Sequence, residues 1–151
     1  MTEVVNSGTT ITQYMMNEHA FCDEKYGKAE QSVLSNDFEA SKRDLSDFLK
    51  SMVRHLAIEE DLLFPEFERQ TGMMGGPTYV MRTEHEQFRS IFKQMEASLE
   101  NQDFDRISGL GETLVILMQQ HNMKEEGMLY PMIDQHLMGS CENLIETANK
   151  M

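Results

Sequence analysis

Tryptophan is absent from this 151-residue chain, proline occurs three times and cysteine only twice. The two cysteines, Cys22 and Cys141, form neither a CxxC motif nor a disulfide framework, and in a reducing compartment both are free thiols. Basic residues are also scarce: 13 Lys and Arg stand against 26 Asp and Glu, for a formal net charge of −13. A chain this acidic repels phosphate backbones, which excludes nucleic acid as a partner and disfavours anionic membrane surfaces. No apolar run approaches the length of a membrane span. Residues 1–10 lack the basic-then-apolar pattern of a signal peptide, so the expected location is the cytoplasm. Val, Ile and Thr are sparse while Met, Leu, Glu, Lys and Gln are plentiful, a balance that favours helix over strand. The length suits a single domain with one core.

The chain repeats itself. From His55 and again from His121 the sequence reads His-x-x-x-Glu-Glu-x-x-Leu-aromatic-Pro, at an offset of 66 residues. The same offset carries Glu18-His19 onto Glu84-His85 and Asp37-Phe38 onto Asp103-Phe104. Two copies of a helix-pair unit, packed as a pseudo-symmetric bundle, account for this; a solenoid needs more repeats.

Breaks in the pattern delimit four helices. The first spans about residues 9–33, and the turn at residues 35–37 offers Asn36 as a cap with Glu39 three residues on, as in a capping box. The second runs to about residue 69, before the Gly-rich loop at residues 71–77. The third spans about residues 78–99, and the fourth follows the turn at residues 101–103 and runs to about residue 136. Pro65 and Pro131 predict a kink or early end late in the second and fourth helices. The expected organisation is an N-terminal arm (1–8), a bundle (9–138) and a tail or short C-terminal helix (139–151). Apolar stripes at three- and four-residue spacing support the helices. They run through Ile11, Met15, Cys22 and Tyr26; Leu45, Phe48, Met52 and Leu62; Met81, Phe88, Phe92, Met95 and Leu99; and Leu114, Met118, Met128 and Met132.

Each stripe is interrupted by one histidine: His19, His55, His85 and His121. The second and fourth add a carboxylate one turn later, Glu59 and Glu125. Bare carboxylates on a buried face cost several kcal/mol unless something compensates them. Residues four apart share a helix face, so each His-x-x-x-Glu pair aims two groups at the bundle axis. A pair of metal ions would satisfy carboxylates and imidazoles together, each ion taking two histidines and both glutamates bridging. Mixed nitrogen and oxygen donors without thiolate suit iron best, with manganese or zinc as alternatives. The ferritin-type Glu-x-x-His is absent, and His85-Glu86 does not continue as HExxH because residue 89 is Arg. His136 lies outside the pattern, as a surface residue. Glu60, beside Glu59, is either an acceptor for a histidine N–H or a solvated charge, and Cys22 reads as a small core hydrophobe.

With these motifs the chain resembles the hemerythrin family, including the hemerythrin-like HHE cation-binding proteins, over about residues 9–138. The resemblance implies an up-down-up-down four-helix bundle around an oxo- or hydroxo-bridged di-iron centre. It assigns His19 and His55 to one iron and His85 and His121 to the other, with Glu59 and either Glu125 or Glu126 bridging. The internal repeat favours Glu125. Oxygen-carrying members have a second histidine four residues along the third helix, where this chain has Arg89, whose repeat counterpart is Asp23. Asp23 is read as an ion-pair partner of Arg89, a metal ligand or a solvated charge. The expected function is binding of O2 or a related small ligand as carrier, store or sensor. The alternative is a stress enzyme acting on peroxide or nitric oxide, or donating iron for iron-sulfur repair. A metal-dependent regulatory module ranks third.

Overall fold

The computed structural model describes residues 8–151 and is all-helical over them. The expected N-terminal arm, except for Gly8, lies outside the described residues. Helix α1 (Ile11–Leu34) is followed by α2 (Phe38–Ala57), a π-helical turn π1 (Ile58–Leu63) and α3 (Phe64–Thr71). The second half repeats this as α4 (Pro77–Glu100), α5 (Phe104–Lys124), π2 (Glu125–Leu129) and α6 (Tyr130–His136), and α7 (Cys141–Asn149) closes the chain. Helix α1 packs on α2 and α5, and α4 packs on α5 and α2.

The helix starts follow from local chemistry. Thr10 caps α1 by accepting the Gln13 N–H at 3.0 Å. Asp134, reaching back from α6, accepts the N–H groups of Ile11 (2.7 Å) and Thr12 (3.1 Å). Two orphan donors of the first turn are thereby satisfied from a distant element. The cap of α2 is Asp37, not Asn36: the Asp37 carboxylate takes the Ala40 N–H at 3.0 Å. Asn36 instead adopts a left-handed φ of +54°, which asparagine tolerates better than most residues. Its counterpart Gln102 has φ +51°, and Asp103 caps α5 as Asp37 caps α2. The repeat therefore extends to the turn geometry. The Gly-rich loop ends α3 on Gly72 at φ +72° and starts α4 with Pro77, where a missing N–H costs nothing.

Neither Pro65 nor Pro131 ends its helix, which runs on to Thr71 and His136; each follows a π turn. The Phe64 N–H bonds the Glu59 carbonyl and the Tyr130 N–H bonds the Glu125 carbonyl, an i to i−5 pattern. Proline supplies no N–H, and the Glu60 carbonyl meets Arg82 Nη2 at 3.4 Å instead. The extra residue advances the buried face by one position. Leu63, Phe64 and Phe67 are buried after π1, leaving Leu62 only half-buried. After π2 the core residues are Leu129, Tyr130 and Ile133; Met128 is 51 % exposed and Met132 half-buried, contrary to the expected stripe.

Two apolar clusters result. One joins Ile11, Met15, Phe64, Phe67, Tyr130 and Ile133 with Leu144, Ile145 and Ala148 of α7. The other joins Cys22, Leu45, Phe48, Met52, Phe88, Phe92, Leu114 and Met118. His19, His85 and His121 lie between the two clusters in sequence, and His55 lies at the end of the second, beside Leu56. Among the described residues no helix is long and apolar enough to cross a membrane.

Candidate metal centre

Helices α1, α2, α4 and α5 each contribute one histidine, and each π turn contributes a glutamate near its start. All six side chains predicted as ligands are buried, and Glu59, His85 and Glu125 have no solvent exposure. Glu59, His85, His121 and Glu125 present ligand atoms within 4.8 Å of one another, as do His19, His55 and Glu125. The rings pair accordingly, with centroids 4.8 Å apart for His19 and His55 and 5.0 Å for His85 and His121. Glu125 belongs to both groups. Glu59 Oε1 lies 3.1 Å from His85 Nε2 and 3.4 Å from His55 Nε2, so it also reaches both.

These contacts are close without being hydrogen bonds. His85 Nε2, His121 Nε2, Glu59 Oε1 and Glu125 Oε2 are buried and have no hydrogen-bond partner. Four orphaned atoms at one point are hard to reconcile with a purely structural polar cluster, since buried polar groups are almost always paired. Neighbouring donors on one ion, with bonds of about 2.0–2.2 Å, stand about 3 Å apart. The Nε2–carboxylate separations run from 3.1 to 3.4 Å. The residues present therefore fit metal ions held by imidazole and carboxylate.

The outward nitrogens are braced. His19 Nδ1 lies 2.6 Å from Glu126, His85 Nδ1 2.6 Å from Glu60, and His121 Nδ1 2.8 Å from Glu84. A proton on Nδ1 donated to these carboxylates leaves each Nε2 lone pair facing the centre. Arg89 grips Glu60 with two bonds of 3.0 and 2.6 Å, and Lys124 holds Glu84 at 2.5 Å. Burial raises the pKa of Glu60, but the bonds from Arg89 and His85 outweigh it and hold the carboxyl below its usual value. Arg89 pairs with Glu60 and Glu86 rather than with Asp23. The fourth histidine breaks the pattern. By the repeat Glu18 should brace His55, but it pairs with Arg54, and His55 Nδ1 has no partner.

Without metal the charges are strained. Burial, then the adjacent Glu125, raises the Glu59 pKa. Burial acts upward on Glu125 as well, but the close Glu59 carboxyl and His121 imidazole hold it well below normal. His55 is pushed down to about 3 by burial, with the other imidazoles adding to the effect. His121 is also desolvated, yet the Glu125 carboxylate 3.3 Å from its Nε2 outweighs this and raises it to about 9.

Cross-helix partners are where sequence reasoning falls short. Glu84 was visible only as a repeated neighbour of His85, and Glu126 only as the alternative to Glu125 as a bridge; the structure instead sets Glu126 against His19 Nδ1. Tyr130 was visible only as the motif's aromatic. Its hydroxyl lies 2.7 Å from Glu59 Oε2, 2.8 Å from Glu125 Oε1 and 3.1 Å from His19 Nε2. The one signal was that the second copy of the motif carries tyrosine where the first carries Phe64. His136 is exposed, and Cys22 is buried in the apolar cluster, its thiol pushed up to about 12 by desolvation.

A buried, mixed His and Glu cluster between helices defines a metal-binding helical protein. The Hemerythrin HHE cation binding domain matches residues 10–133, and the chain belongs to that family. No curated protein and no solved structure shows a significant match.

Proposed function

We propose that the protein is a non-haem di-iron protein that binds O2 or a related small ligand, as carrier, store or sensor. In this reading the four long helices run up-down-up-down, which the three-residue turns between α1 and α2 and between α4 and α5 support. His19 and His55 hold one iron, His85 and His121 the other, and Glu59 and Glu125 are shared. The observation that carries the reading is the convergence of six buried donors, four of whose atoms have no other partner.

Bound iron supplies the redox chemistry and the open coordination position. The chain supplies the rest. Glu60, Glu84 and Glu126 fix the tautomer and aim of three imidazoles. Met52, Leu56, Phe88, Met118 and Cys22, with His19, His55 and His121, line a cavity of about 10 Å³. That is room for about one molecule the size of water or a diatomic.

A second reading has one specific support. Arg89 stands where oxygen carriers place a histidine and turns to Glu60 and Glu86. The His85 ion then has fewer protein ligands, which favours an enzyme acting on peroxide or nitric oxide, or an iron donor. The test is to expose the reduced, iron-loaded protein to O2 and then to vacuum. A spectral change that reverses supports the first reading; irreversible oxidation with catalytic peroxide consumption or NO capture replaces it with the second.

A further inference from the structure

The strongest feature that the proposed ligand set leaves unused is Tyr130. Its side chain has no solvent exposure, and its hydroxyl touches His19 Nε2, Glu59 Oε2 and Glu125 Oε1 at 3.1, 2.7 and 2.8 Å. These are the separations of neighbouring donors on one ion. All three partners belong to residues of the candidate centre, so an ion seated among them lies within reach of the phenol oxygen as well.

Packing does not require the oxygen. The repeat places Phe64 at the equivalent position, where its ring stacks on His85 with centroids 5.9 Å apart. A phenyl ring fills that half of the site, and a phenol fills the other. The π turn delivers Tyr130 to the centre: the Tyr130 N–H bonds the Glu125 carbonyl, and the extra residue brings position 130 to the buried face.

We propose that Tyr130 is an oxygen ligand of the ion held by His19 and His55, so that the two halves of the centre are chemically unequal. Metal binding releases the phenol proton to solvent, as it does for other protic ligands. One ion is then more fully enclosed by protein donors than the other. This inference rests on the di-iron reading above.

The experiment compares wild type, Tyr130→Phe and Tyr26→Phe after loading with ferrous iron and oxidation in air. Iron content, the visible spectrum and resonance Raman scattering are recorded for each. The expected result is a visible phenolate-to-iron(III) charge-transfer band with enhanced tyrosine ring modes in wild type and Tyr26→Phe. Both are lost in Tyr130→Phe while the iron content holds. An iron-loaded wild type without that band, or a band that survives in Tyr130→Phe, overturns the proposal and leaves the di-iron centre standing. Failure of the wild type to bind iron overturns both. If Tyr130→Phe does not fold, the Raman signature of the wild type, set against Tyr26→Phe, still decides.

Discussion

Glu60→Ala removes the acceptor that lies 2.6 Å from His85 Nδ1 and is clamped by Arg89. Two losses follow: His85 is no longer held in the tautomer that points Nε2 inward, and its Nδ1 is left buried without a partner. Loss of such an outer partner weakens metal binding by about 10–100-fold, which is about 1.4–2.7 kcal/mol. Glu126→Ala and Glu84→Ala, acting through His19 and His121, should fall in the same range. Glu18→Ala is the internal control. It sits where the repeat would brace His55, but it bonds Arg54, so metal affinity should stay within about threefold of wild type. The assay is competition for ferrous iron against a chromogenic chelator, with helical circular dichroism checked for each variant. The reasoning is refuted if Glu60→Ala binds like wild type, or if Glu18→Ala loses as much affinity as the other three.

Metal affinity should fall with acidity, by about tenfold per pH unit for each proton displaced, because ligands must be deprotonated. His121, raised to about 9, carries such a proton at neutral pH; chelator competition that shows no change between about pH 6 and 8 would contradict this. In the metal-free protein the same raised pKa adds stability that is complete below the ordinary histidine value of 6.5 and lost as pH rises through about 9, which urea titrations at several pH values will show. Asp134→Ala strips two N–H partners from the start of α1 and should cost about 1–2 kcal/mol in denaturant unfolding. Gly109→Ala, facing open space in α5, should stabilise by about 0.5–1 kcal/mol. Gly111→Ala should not, since its new methyl meets the Tyr26 hydroxyl, and adding Tyr26→Phe should recover much of the difference.

The helices, their breaks and the repeat were legible because they depend on local signals: apolar spacing, Asp caps and a Gly-rich loop. The stripe histidines and Glu59 and Glu125 were legible because each stands alone as a polar residue in an apolar series. What failed had a common cause. A π turn adds one residue through an i to i−5 bond that no composition announces, so Leu62, Met128 and Met132 were placed on the core face while Leu63, Leu129 and Tyr130 occupy it. The choice of Asp37 over Asn36 turned on backbone geometry, with a left-handed residue needed just before the cap. Glu60, Glu84 and Glu126 act across helices, and their pairings with His85, His121 and His19 depend on how the helices are rotated.

The most direct test of the central claim is the metal content of protein purified from iron-replete cells, measured with its near-ultraviolet spectrum for wild type and His55→Ala. About two irons per chain, as a bundle-core pair requires, with charge-transfer bands lost or halved in His55→Ala, is the predicted result. A well-folded wild type that carries no metal and takes up none on incubation with ferrous iron would contradict it, and the four histidines would then be core residues only.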